Sequence, residues 1–309
     1  MTWDTYYRGD GQTRENVELP EPPPWRTFPR PPRAKVFLAP EGLTDAVNAA
    51  LCLRRPLLVR GAPGTGKSSV IEQVAAELGL GRVLRWHITS RSTLSEALYR
   101  YDALGRIHDQ RIHPDAGDNL GPFIELGPLG TALLPADRPR ALLIDELDKC
   151  DLDLPGDLLD VLERGEFEIP ELIREDQNEA ELREWKSEQT KTVLNGRVQC
   201  TQFPFIVMTS NGEQELPAPF LRRCIRYTMP VPQADMLRKM IRGWLNIEVP
   251  EKGPLADLVD GFVRRVAAGE TIAIDQLLST VHLVHGNGAP EGDQRKRLVD
   301  ILMRDLSRA

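Results

Sequence analysis

Residues 61–68 read Gly61-Ala62-Pro63-Gly64-Thr65-Gly66-Lys67-Ser68, an unbroken G-x-x-x-x-G-K-[ST], and no other stretch constrains the fold as tightly. The stretch follows the apolar run Pro56-Leu57-Leu58-Val59 and precedes Val70-Ile71-Glu72-Gln73-Val74-Ala75-Ala76-Glu77-Leu78. The order is therefore strand, glycine-rich loop, helix, the setting this motif requires. Glycines let the backbone curl until consecutive N–H groups face a phosphate chain, and the helix behind adds its positive end. In such a loop Lys67 reaches the β- and γ-phosphates and the Ser68 hydroxyl ligates Mg²⁺. An ordinary glycine-rich turn would leave the Lys-Ser pair and both flanks unexplained. The expectation is a nucleoside triphosphate site formed by Gly61, Ala62, Pro63, Gly64, Thr65, Gly66, Lys67, Ser68 and Ser69.

The 309 residues suit one large or two modest domains. A net charge of −7 provides no overall field toward nucleic acid or anionic lipid, so neither is an expected partner. No apolar run approaches the roughly 18 residues that a membrane span needs. Residues 1–8 lack the basic and apolar regions of a secretion signal, which makes the cytoplasm the expected compartment. Cys52, Cys150, Cys200 and Cys224 are widely spaced without a C-x-x-C, the pattern of reduced, partly buried thiols. His282 and His285 share a helical face, but no third ligand is near in sequence, so packing or surface is the expectation.

Residues 1–33 are polar and then proline-dense, which predicts an extended arm that either anchors through Trp25 and Phe28 to the body of the fold or a neighbouring subunit, or is a disordered tail. From Val36 the pattern turns globular. Leu43, Ala46, Val47, Ala50 and Leu51 predict an amphipathic helix ending near Pro56. After the loop helix, 83–89 reads as a second strand, and 92–99 as a short helix with Thr93 and Glu96 at capping-box spacing. Residues 121–135 carry glycines and prolines around an apolar centre, which predicts a projecting loop or short hairpin.

Arg140-Ala141-Leu142-Leu143-Ile144-Asp145-Glu146 is the second informative stretch. Its apolar residues make a buried parallel strand, and its two carboxylates lie at the C-terminal end, where open α/β sheets place ligands. There Asp145 would hold Mg²⁺ through water and Glu146 would polarise the attacking water as general base. An amphipathic helix is predicted over 154–167 with a glycine stop at Gly165, and an acidic, interrupted stretch follows over 168–188. Asn195-Gly196 between Val-rich flanks predicts a hairpin. A buried strand over 203–209 ends in Ser210-Asn211, and the Asn211 amide is placed to orient the lytic water and sense the γ-phosphate. Arg222 and Arg223 stand before a last strand from Ile225, where an arginine given to a neighbouring subunit would stabilise charge on the transferring phosphoryl group. Beyond Gln233 four apolar stripes, beginning at Met236, Leu255, Ile274 and Leu298, predict a small helical bundle.

Taken in that order, the phosphate loop, the Leu-Leu-Ile-Asp-Glu strand, the Thr-Ser-Asn strand end and the Leu-Arg-Arg segment resemble the AAA+ ATPases, and within them the MoxR-like branch close to the dynein-related AAA domains. The resemblance spans about residues 34–309. By it, Gly61 to Ser68 matches Walker A, Ala141 to Glu146 Walker B and Asn211 sensor 1, while Arg223 best matches the arginine finger, with Arg222 competing. It implies a three-layer α/β P-loop core with a parallel sheet over 34–232, a small all-α lid over 233–309, and ATP with Mg²⁺ between the subunits of a ring, typically a hexamer. It also implies ATP-driven remodelling or chaperone-like activation of a partner, such as a von Willebrand factor A domain protein. The 121–135 stretch resembles the helix-2 insert, and the Asn195-Gly196 hairpin the pre-sensor-1 insert. One departure stands out: Gly269 to Gln276 lacks the sensor 2 arginine, which leaves either Arg264 or Arg265 as a substitute or a lid that responds weakly to nucleotide.

Two functions stay open. One is a motor that couples ATP hydrolysis to rearranging a protein; the other is a nucleotide-gated assembly switch in a bacterial signalling or defence complex. A GTP-driven restriction motor fits less well, because Thr209-Ser210-Asn211-Gly212-Glu213-Gln214 departs from that family's Asn-x-x-Asp-Arg-Ser pattern.

Overall fold

The computed structural model describes residues 7, 9–13, 19, 21–29, 37–113, 119–175, 178–285 and 289–306. Most of the arm expected over 1–33, and the expected start of the globular pattern at Val36, lie outside the described residues. The chain divides into two compact units, one of Ala39–Arg60 and Lys67–Thr228, the other of Met1–Leu38, Gly61–Gly66 and Met229–Ala309.

The first unit opens with α1 (Leu43–Leu53), which buries Leu43, Val47 and Ala50 and ends on Arg54 in the left-handed conformation. Next come β1 (Leu57–Arg60), α2 (Ser69–Leu78), stopped by left-handed Gly79, and β2 (Leu84–His87). After them run α3 (Leu94–Leu98), β3 (Tyr99–Tyr101), α4 (Ala103–Ile112), β4 (Ile124–Leu126), α5 (Pro128–Ala132) and β5 (Ala141–Asp145). Thr93 caps α3 by accepting from the Glu96 N–H, as its spacing predicts. The unit continues through α6 (Leu154–Arg164), β6 (Glu166–Glu168), α7 (Pro170–Arg174), β7 (Glu179–Arg183), β8 (Thr190–Leu194), β9 (Arg197–Gln199), β10 (Phe205–Ser210), α8 (Ala218–Leu221) and β11 (Ile225–Thr228).

Five strands form one parallel sheet in the order β11-β1-β10-β5-β2. β5 and β10 are almost wholly buried, which explains their continuous apolar runs. The helix α1 packs on β11 and β1, α2 on β5 and β10, and α5 on β2 and β5. With all strands parallel, their C-terminal ends share one edge: Arg60 pairs with Ser210 and His87 with Asp145.

A second sheet, in the order β3-β4-β7-β8-β9-β6, is assembled from segments between β2 and β10. Its β8–β9 turn is the hairpin predicted at Asn195-Gly196, both in left-handed conformations (φ 52° and 63°). The acidic 168–188 stretch is not merely interrupted, since it supplies α7 and β7 to this sheet. The 121–135 stretch corrects the sequence expectation. It does not project: Leu126, Leu129, Thr131 and Leu133 are fully buried. Its glycines serve close approach, because a Cβ on Gly127 would stand 2.2 Å from the Ala97 carbonyl oxygen and one on Gly130 1.9 Å from that of Leu98.

The second unit contains α9 (Ala234–Leu245), α10 (Pro254–Ala267), α11 (Ile274–Val284) and α12 (Gly292–Leu302), one for each predicted stripe. Leu237, Ile241, Val259, Phe262, Leu277 and Val281 form its core. Trp25, in a turn of 3-10 helix, packs edge-on against Trp244 and His282 at centroid distances of 6.5 and 6.1 Å. This contact settles Trp25 on its own chain and gives His282 a packing role, while Phe28 is largely exposed. No helix among the described residues is long and apolar enough to cross a membrane.

Candidate functional site

The loop between β1 and α2 adopts the backbone its glycines predict, with φ of 156° at Gly61, 78° at Gly64 and 85° at Gly66. Gly64 also lies close to the start of α11: a Cβ there would stand 2.8 Å from the Ile274 nitrogen. The buried Thr65 hydroxyl donates to the Ala62 carbonyl at 2.8 Å and holds the loop's curl. Among the described residues no acceptor takes the N–H of Gly64 or Gly66, which leaves donors for an anion.

In the first unit the strand ends gather the polar groups. Lys67, nearly buried at 7 % exposure, donates from Nζ to Asn211 Oδ1 at 2.7 Å. Burial lowers its proton affinity, and the nearby Asp145, Asp148 and Glu146 carboxylates oppose that loss. Ser68 Oγ donates to Asp145 Oδ1 at 2.8 Å, and the buried Thr209 hydroxyl donates to the same oxygen at 2.6 Å. Thr209 Oγ1 in turn accepts from the Glu146 N–H at 2.8 Å. Glu146 itself is left-handed, with φ 59°, and opens the 3-10 turn Leu147–Lys149. Its Oε2 takes the Lys149 ammonium at 2.8 Å and stands 3.6 Å from His87 Nε2 at the end of β2.

Of the residues singled out in the sequence, Lys67, Ser68, Asp145 and Asn211 are thus brought into direct contact, with Glu146 beside them. The arginines stand differently. Arg223 pairs with Glu163 of α6 and donates to the Pro219 carbonyl at 3.1 Å. Arg222 is exposed, and no hydrogen bond or ion pair holds its side chain among the described residues. Neither possible substitute for the missing lid arginine is free, since Arg264 donates to the Asp260 carbonyl and Arg265 pairs with Glu270.

Sequence reasoning passed over Thr209, Asp148, Lys149 and His87. Thr209 and Asp148 are buried polar residues flanking the two strand ends, and burial is the signal a linear sequence hides.

The residues fit a hard cation. Two hydroxyls already converge on one carboxylate oxygen, Asp145 Oδ1, and oxygen donors suit Mg²⁺. Among the described residues no three His, Cys, Asp or Glu side chains form a closed metal cage, so the remaining ligands would be water and phosphate oxygens.

A parallel sheet that presents a glycine loop, a lysine, a serine and paired acids at its strand ends is a P-loop nucleotide-binding fold. The chain belongs to the AAA domain family, dynein-related subfamily, whose pattern matches residues 56–224, more than half of its length. Solved structures similar to it include NtrX from Brucella abortus in complex with ADP, at 15% identity and a TM-score of 0.46, with 87% of this chain and 56% of that chain covered. NtrX in complex with ATP gives 15% identity, a TM-score of 0.47 and coverage of 88% and 58%. The chain therefore spans less than two thirds of the NtrX chains. No curated relative matches it.

Proposed function

We propose that this AAA protein binds ATP with Mg²⁺, hydrolyses it in a cytoplasmic ring, a hexamer, and uses the turnover to remodel a protein partner, for example a von Willebrand factor A domain protein. The observation that carries this reading is the double tie of Lys67 to Asn211 and Ser68 to Asp145, which joins the loop motif to two strand ends. Gly61 to Ser69 would take the phosphates, and Ser68 and Asp145 would hold the metal ion. Bound there, Mg²⁺ would neutralise phosphate charge and orient the terminal phosphoryl group. Glu146 would accept the proton of the attacking water, Asn211 would align that water, and Arg223 or Arg222 of a neighbouring copy would face the developing charge. In this reading 34–232 is the nucleotide core and 233–309 the lid.

A second reading, the nucleotide-gated assembly switch, draws on a specific contact. Lys149 holds the carboxylate of the proposed base, an arrangement that favours slow hydrolysis. The test is ATPase measurement with Glu146→Gln and Lys67→Ala. The first is expected to retain ATP and lose turnover by about 100-fold or more, the second to lose binding. Undiminished hydrolysis by Glu146→Gln would remove Glu146 from its role. Continuous turnover stimulated by a partner supports the motor, whereas a single slow round with persistent assembly supports the switch.

A further inference from the structure

We propose that Asp148 is a positioning residue for hydrolysis, its buried carboxylate locking the turn that carries Glu146 to the turn that carries Asn211. The inference rests on the hydrolytic reading above. Asp148 lies two residues beyond Glu146 in the same 3-10 turn and is 3 % exposed. Its Oδ2 accepts the backbone N–H groups of Asn211 at 3.0 Å and Glu213 at 2.9 Å. On the other side of Asn211, the Thr209 hydroxyl bridges Asp145 and the Glu146 N–H. The ends of β5 and β10 are therefore joined twice, with Asn211 between the two joints.

Asn211 needs such a hold. It is followed by Gly212 at φ 83°, whose N–H donates to Ser210 Oγ at 3.1 Å, a tie within the turn that does not reach β5. Yet the Asn211 side chain must keep its oxygen on Lys67. The two N–H groups that Asp148 accepts tie this turn to the one that presents the general base. Asp148 Oδ1, in contrast, is buried without a hydrogen-bond partner among the described residues. A carboxylate held with one oxygen unsatisfied is a poor choice for stability alone, which fits a residue retained for placing its neighbours. Asp148 acts on the reaction through Asn211 and Glu146, and needs no contact with the nucleotide.

The test is steady-state ATPase kinetics and nucleotide binding on the full chain. Asp148→Ala is expected to lower kcat by about tenfold or more while KM and the Kd of a fluorescent ATP analogue stay within about threefold. Asp148→Asn keeps an oxygen for both N–H groups, and is expected to restore kcat to within about threefold of the unsubstituted protein. Wild-type kcat in Asp148→Ala, or an asparagine variant as impaired as alanine, overturns the proposal. Should the alanine variant not fold, Asp148→Ser replaces it, with hydrogen exchange followed over 209–214. Faster exchange there together with lower kcat is expected, and faster exchange at unchanged kcat overturns it. Turnover by the unsubstituted protein that ignores Asp148→Ala removes this inference alone. Unsubstituted protein that binds ATP without turnover removes the hydrolytic reading, and this inference with it.

Discussion

Glu146 occupies a left-handed backbone that costs a residue with a Cβ about 1 kcal/mol or more, and the Thr209 hydroxyl on its N–H helps to hold it there. Strain of this kind aims a carboxylate, and here the carboxylate is already occupied. The hydrogen bond from Lys149 to Glu146 raises the lysine's proton affinity, so the lysine remains charged and keeps its grip through neutral pH. Both side chains are partly exposed, so the pair is worth at most about 1 kcal/mol. Lys149→Ala is therefore expected to raise basal turnover by up to about fivefold, measured as phosphate release at saturating ATP. A fall instead would make Lys149 a guide for the base rather than a brake. The cysteines offer a second residue-scale check. Burial pushes the Cys224 thiol up to about 12 and the Cys150 thiol to about 11, so both stay protonated and shielded at pH 8, while Cys52 is exposed. Timed labelling at pH 8 is expected to modify Cys52 first, and Cys150 and Cys224 only at the rate of unfolding.

Among the elements, the contrast between two glycines tests why 121–135 folds inward. An alanine methyl at Gly130 would stand 1.9 Å from the Leu98 carbonyl oxygen, and neither backbone can yield without moving α5 or α3. Gly130→Ala is expected to cost about 3 kcal/mol in urea unfolding. Gly81→Ala, at φ 77° with nothing within 4 Å, is expected to lose only about 1 kcal/mol. Equal losses would mean that the Leu98 carbonyl yields and that close approach does not govern Gly130. The same contrast separates what sequence made legible from what it did not. Periodicity and apolar runs announce α1, β1, α2, β5 and β10, and Asn195-Gly196 announces its hairpin, because each signal is local. A glycine that admits a neighbouring carbonyl looks in sequence like one that makes a turn. Likewise Glu184 reads as one more member of an acidic stretch, yet it is 3 % exposed and grips Arg140 at 2.8 and 3.2 Å just ahead of β5. Its partner stands 44 residues away, beyond the reach of any window of periodicity. Within the site, the motif residues were legible and the residues that brace them were not. Thr209 and Asp148 act through backbone N–H groups, which every residue but proline presents, so nothing local in the sequence marks their partners.

For the whole molecule the open question is whether one chain completes another's site, and Arg223 carries the test. In a single chain it is committed to Glu163 and the Pro219 carbonyl, so service to a neighbour requires that it let go. The release is cheap. Arg223 and Glu163 are both substantially exposed, at 39% and 51%, and such a pair contributes no more than about 1 kcal/mol. An arginine facing a phosphoryl group in transfer is worth about 10³-fold or more in rate, several times that cost. Arg223→Ala is thus expected to abolish turnover while ATP binding survives, and mixing it with Lys67→Ala subunits is expected to restore activity, since each then supplies what the other lacks. Glu163→Gln removes the competing carboxylate and is expected to leave turnover unchanged or raise it by up to about fivefold. If Arg223→Ala retains its rate and Arg222→Ala loses it, the exposed arginine is the one that reaches across. If mixing restores nothing and both single variants hydrolyse ATP normally, the arginines only brace their own chain, as Arg223 does through Glu163, and no neighbouring copy takes part in the chemistry.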